Sequence, residues 1–67
     1  MSDADVSAAS RLRHDLRTPL TIVSGFAEIL AADRPVSDED RREYAQRIIA
    51  AAEEIRALID AAKLAGE

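Results

Sequence analysis

At 67 residues the chain has room for one small domain and no more. It contains no cysteine and a single histidine, so neither a disulfide nor a metal cluster can staple so small a core, and association with a second chain is the remaining route to stability. The formal net charge of −4 excludes a basic stripe for nucleic acid, and no apolar run approaches the roughly 20 residues of a membrane span. With no signal peptide at its start, the chain reads as soluble and cytoplasmic. Hydrophobic residues make up 48% of it, yet Phe26 and Tyr44 are the only aromatics and glycine and proline number two each. That is the composition of an alanine- and leucine-rich helical protein.

Met1–Asp5 is short and acidic and is read as a fraying end. A helix is predicted from about Val6 to Ala32. Its apolar seam is Leu12, Leu16, Pro19, Val23, Phe26 and Leu30, with Leu20, Ile22, Ala27 and Ile29 widening it. Thr18-Pro19 would ordinarily read as a helix start, with threonine as cap and proline in the first turn. The seam, however, keeps its phase across Pro19, and Leu12 and Leu16 would have no reason to do so if the helix began at Thr18. One continuous helix with a local kink at Pro19 is therefore expected.

The pattern breaks at about residues 33–37. Ser37 then stands as an N-cap before Asp38, Glu39 and Asp40, three carboxylates that suit the positive end of a helix dipole, and Asp40 is placed for a variant capping box. The second helix is predicted from about Asp38 to Ala65, with Gly66 as its stop. Its seam is Tyr44, Ile48, Ala51, Ile55, either Leu58 or Ile59, and Ala62. Arg41, Arg42, Glu43, Glu53, Glu54 and Arg56 read as a solvated face. Two antiparallel helices cannot cover stripes this wide. The expected architecture is all-α: a two-helix hairpin that homodimerises into a four-helix bundle.

The chemistry concentrates in His14-Asp15-Leu16-Arg17-Thr18-Pro19-Leu20. With Leu12 and Leu16 on the seam, His14 falls on the opposite face. A neutral imidazole there is a competent nucleophile near pH 7 and is open to a bulky phosphoryl donor. Arg11, Arg13 and Arg17 crowd it, an arrangement better suited to a phosphoryl group than to a duplex. This box resembles the phosphoacceptor box of sensor histidine kinases, within their dimerisation and histidine-phosphotransfer domain (DHp, or HisKA). The flank Ile22-Val23-Ser24-Gly25-Phe26-Ala27-Glu28-Ile29-Leu30 is similar to the family's apolar run around a glycine and an aromatic. The end from Leu58 to Glu67 resembles the way such domains close before a catalytic domain. The resemblance covers about residues 8–67.

It implies a dimeric phosphoacceptor of two-component signalling, with His14 taking phosphate on its distal nitrogen and Asp15 as general base. On the bland reading, Asp15 pairs with Arg11 at helical spacing. The acidic residue followed at the third position by threonine resembles the family's phosphatase pattern, in which Thr18 would orient water on a phosphorylated regulator. On the equal alternative, Thr18 does no more than bond back to the carbonyl of His14. Arg17 is a candidate phosphoryl contact. Thr21, Gly25 and Glu28 share the face of His14, and in the family that strip, with the start of the second helix, docks the response regulator's receiver domain.

The 67 residues hold no glycine-rich nucleotide motif and no asparagine to ligate magnesium. ATP and Mg are expected to be used by a separate ATP-binding kinase domain, acting in cis or trans, with no cofactor bound by these residues. The chain would thus be part of a phosphotransferase and not autonomously active. The alternative is a non-catalytic dimerisation or docking hairpin with an idle histidine.

Overall fold

The computed structural model of the chain describes residues 3–66, with side-chain surroundings for residues 7–62. Two α-helices make up the described residues: α1, Asp3–Ala31, and α2, Asp38–Gly66. α1 begins inside the segment read as a fraying end. Met1, Ser2 and Glu67 lie outside the described residues.

α1 runs through Pro19 without interruption. Proline has no N–H to give the carbonyl of Asp15 and its ring crowds that carbonyl, a cost of about 3 kcal/mol in an exposed helix interior. Burial offsets part of that cost, because the Pro19 ring is less than 2% exposed, the most deeply enclosed large side chain among the described residues.

The connection is built from local hydrogen bonds. The Ala32 N–H reaches the carbonyls of Glu28 and Ile29 at 3.0 and 3.3 Å, and the Arg34 N–H reaches the Ala32 carbonyl at 2.8 Å. Pro35 fixes the exit, since the residue before a proline is steered away from helical geometry. Ser37 then caps α2: its Oγ accepts the Asp40 N–H at 3.0 Å and its carbonyl accepts the Arg41 N–H at 2.9 Å. That is the forward half of a capping box.

The two helices pack antiparallel along the seams the sequence marks. Leu12, Leu16, Val23, Phe26 and Leu30 of α1 are half-buried, as are Tyr44, Ile48, Ile55, Leu58 and Ala62 of α2, while Pro19 and Ala51 are buried. Leu58 takes the seam position, and Ile59 is left 48% exposed. Near the loop, the rings of Phe26 and Tyr44 stack with centroids 5.2 Å apart and planes 28° from parallel. A contact of that kind adds about 0.5–1.5 kcal/mol beyond its buried area.

This hairpin has almost no interior. Pro19 and Ala51 are the only buried side chains among the described residues, and Leu20, Ile49 and Ile29 are 50%, 57% and 41% exposed. The accessible surface is 5623 Å² for 7.3 kDa. A globular monomer of that mass exposes roughly 4200 Å². The excess, about 1400 Å², exceeds the roughly 800 Å² per partner that a standard protein interface covers. No helix among the described residues is long and apolar enough to cross a membrane.

Candidate functional site

His14 projects from the back of α1 because its neighbours Leu12 and Leu16 are committed to the seam. The helix turns about 100° per residue, so a position two beyond one seam residue and two before the next points away from both. His14, Asp15, Arg17 and Thr18 are all exposed. The imidazole is therefore open to a bulky partner, and nothing in the hairpin has to move to reach it.

The Arg11–Asp15 pair of the bland reading is not formed. Among the described residues the salt bridges are Asp38–Arg41 at 3.2 Å and Glu43–Arg47 at 3.9 Å, both on α2. The carboxylate of Asp15 is thus not committed to a neighbouring cation, and none of Arg11, Arg13 and Arg17 is paired with another described residue. The hydroxyl that bonds back to the helix is that of Thr21, donating to the Arg17 carbonyl at 2.8 Å. No such bond ties Thr18 to His14 among the described residues.

Below His14 the face opens into a broad groove of about 470 Å³, lined by Arg13, Arg17, Thr21, Gly25 and Glu28 together with Leu20 and Ser24. Four of the residues singled out from the sequence therefore share one surface: Arg17, Thr21, Gly25 and Glu28. His14, Asp15 and Thr18 are not in its lining. At Gly25 an added Cβ would meet nothing within 4 Å, so the missing side chain leaves bare backbone facing open space.

Sequence reasoning grouped Leu20, Ile22, Ala27 and Ile29 as one widening of the seam. The structure divides them. Two helical steps separate Leu20 from Ile22, about 200°, which puts them on opposite flanks. Ile22 and Ile29 border a small apolar hollow of about 290 Å³ with Gly25 and Phe26, and Ile22 also faces Arg47, Ala50 and Glu54 of α2. On α2, Arg47 and Glu54 are each about 200° from Ala45 and Ala52, so those alanines, with Ile59 one heptad further on, lie on the flank shared with Leu20 and Ala27. The five positions Leu20, Ala27, Ala45, Ala52 and Ile59 are thus apolar, with Arg13 and Arg17 bordering them at Leu20, and the other flank mixes isoleucines with charge. The signal was present in the sequence as two separate seven-residue spacings, Leu20–Ala27 and Ile22–Ile29.

The family model of the His Kinase A (phospho-acceptor) domain matches residues 7–64. A hairpin carrying an exposed histidine in a box of this kind is a phosphoacceptor and dimerisation unit of two-component signalling. The chain belongs to the His Kinase A family, whose hairpins typically dimerise into four-helix bundles. No curated protein and no solved structure matches it.

Proposed function

We propose that the chain is a homodimeric phosphoacceptor module in which His14 receives a phosphoryl group from an ATP-binding kinase domain and passes it to an aspartate of a response regulator. The observation that carries this reading is the placement of His14. It is exposed on the face of α1 opposite the seam, beside a carboxylate with no ion-pair partner among the described residues.

Asp15 acts as general base, accepting the proton of the ring nitrogen that does not attack and so raising the basicity of the one that does. Hydrogen bonds of this kind commonly tighten only when the partner is bound, so open resting geometry suits the role. Arg17 contacts the phosphoryl oxygens. Thr18 orients the water that removes phosphate from a docked regulator, a role open to a hydroxyl not already bonded to the helix. Pro19 provides the kink that lets the imidazole meet first a donor and then a receiver. ATP and Mg serve the kinase domain.

The two flanks divide the partners. A second copy covers the flank formed by Leu20, Ala27, Ala45, Ala52 and Ile59, because these five positions are uncharged and interface cores are depleted of charge; Arg13 and Arg17, which border Leu20, stand at its edge. The regulator docks across Thr21, Gly25 and Glu28 and onto Ile22 and Ile29, where Arg47 and Glu54 supply the charge that selects a partner.

The test is incubation with a histidine-kinase ATP-binding domain and ATP, or with a phosphorylated receiver, followed by assay for acid-labile, base-stable phosphate. Wild type should be labelled on His14. His14→Ala should keep its helicity and dimeric mass and take up none. Label that survives in His14→Ala would overturn the assignment, and an unlabelled wild type would leave a docking hairpin with an idle histidine.

A further inference from the structure

Arg13 has no part in the reading above, and its position calls for one. It precedes the acceptor directly and lies one helical turn before Arg17. Residues spaced i,i+4 are neighbours on a helix surface, and like charges there destabilise the helix. Both residues are exposed, neither is paired with a described carboxylate, and both line the same groove, whose lining reaches Arg13, the residue next to His14, but not His14 itself. Residues 11–17 carry three arginines and one carboxylate in a chain whose formal net charge is −4. The hairpin thus concentrates positive charge at its acceptor without neutralising it.

We propose that Arg13 and Arg17 form a two-armed cradle for a phosphoryl group, and that Arg13 is a positioning residue which holds the phosphoryl oxygens while they are transferred to His14 and after they are attached. The inference rests on His14 being the acceptor. Its physical basis is the planar fork of guanidinium donors, which matches phosphate oxygens in pairs. Two forks one turn apart on a rigid helix grip the group from one side and leave the opposite side of phosphorus open for in-line attack or departure. Arg11 does not line the groove; it supplies the same charge from the other side of the helix.

Phosphoramidate tests this without any protein partner. The lone pair of the attacking His14 nitrogen forms the new N–P bond as the P–N bond of the donor, whose nitrogen is in its –NH3+ form, breaks; the bonding pair leaves with that nitrogen as ammonia, and the ring's other N–H proton passes to Asp15 and from there to water. Uptake would be followed by ³¹P NMR at constant ionic strength, and the attached phosphoryl group would then be titrated by its ³¹P shift. Arg13→Gln should take up phosphate about two- to fivefold more slowly than wild type, the range expected of an exposed charge pair. Its ³¹P titration midpoint should rise, because a nearby cation favours the more charged form of the phosphoryl group. Arg13→Lys should recover part of both effects, and Arg11→Gln should match wild type. Because Arg13 is exposed, unchanged helicity is expected in every variant and would be checked by circular dichroism. Uptake and midpoint in Arg13→Gln equal to wild type would overturn the cradle. So would equal losses in Arg11→Gln and Arg13→Gln, which would reduce it to a diffuse field. A wild type that takes no phosphate on His14 would overturn the acceptor reading and the cradle together, whereas the other outcomes bear on the cradle alone.

Discussion

Gly25→Ala sets stability against docking at a single methyl group. Gly25 lies well inside α1, where glycine is about 0.8–1.0 kcal/mol less favourable than alanine. The usual reason for keeping such a glycine is a neighbour too close for a Cβ, and here the added Cβ would meet nothing within 4 Å. Alanine should therefore deliver most of the propensity gain, about 1 kcal/mol per chain and, with folding and association coupled, about 2 kcal/mol per dimer. A gain of 1 kcal/mol corresponds to a rise of about 4–8 °C in a domain of 60–100 residues. The same methyl would stand on the strip where the regulator is proposed to dock and would hold its backbone away. The assays are a thermal and urea melt by circular dichroism at fixed protein concentration and a titration of the receiver domain onto wild type and variant. Higher stability with weaker receiver binding is expected. A loss of stability would mean that a neighbouring chain packs on Gly25, which would refute the assignment of flanks. A gain in stability with unchanged receiver affinity would refute the idea that the glycine exists for close approach.

Asp15→Asn should slow phosphate uptake from the kinase domain by about 10²- to 10⁴-fold, the usual loss for a general base, while leaving the melt unchanged; an unaltered rate would remove Asp15 from the chemistry. Thr18→Ala should leave stability unchanged or raise it by a few tenths of a kcal/mol, because the helix runs through Pro19, whereas a lost N-cap would cost about 0.5–2 kcal/mol. The same variant should slow dephosphorylation of the regulator and spare phosphate uptake by His14. Leu20→Glu and Ile59→Glu, at side chains 50% and 48% exposed in the single hairpin, should halve the mass seen by light scattering or unfold the chain. Ile22→Glu on the other flank should keep the dimer and weaken receiver binding, and equal behaviour of the two flanks would contradict their division.

Most of the fold was legible because a helical hairpin is specified by period. Leu12, Leu16, Pro19, Val23, Phe26 and Leu30 repeat in alternating steps of four and three, and all six are enclosed to some degree. The continuity of α1 through Pro19 followed from the same spacing, since only an unbroken helix keeps Leu12 and Leu16 in phase with Val23. Ser37 was legible as a cap because a hydroxyl before three carboxylates satisfies both the unpaired N–H groups and the dipole at one helix end. What the sequence left open depended on which helix flank faces which. Leu58 and Ile59 differ by one residue and both are apolar, so periodicity alone does not choose between them, and the packing of α2 on α1 does. The two flanks of α1 looked like one broad stripe until Ile22 was found opposite Arg47 and Glu54. At the box, the residue types pointed to the chemistry, whereas the lack of a partner for Asp15 and Thr21's bond to the Arg17 carbonyl are side-chain choices that spacing does not fix.

The same geometry accounts for a site that is enclosed behind and open in its chemistry. The acceptor turn is anchored from behind by Pro19, the most enclosed large side chain among the described residues, while every polar group in front of it is exposed. A solvated imidazole gains little from the hairpin and contributes little to it, so the proposed cycle of phosphorylation and transfer at His14 would not require the seam to repack. On the proposed reading the dimer supplies the stability that so thin a hairpin lacks, through a flank that meets the acceptor face only at Leu20. Fold and chemistry are therefore separable by mutation: changes at Leu20 and Ile59 should act on association and folding together, and changes at His14 and Asp15 should act on phosphate alone. A variant of His14 that unfolded the dimer would break that separation and show that the acceptor turn is part of the structural core.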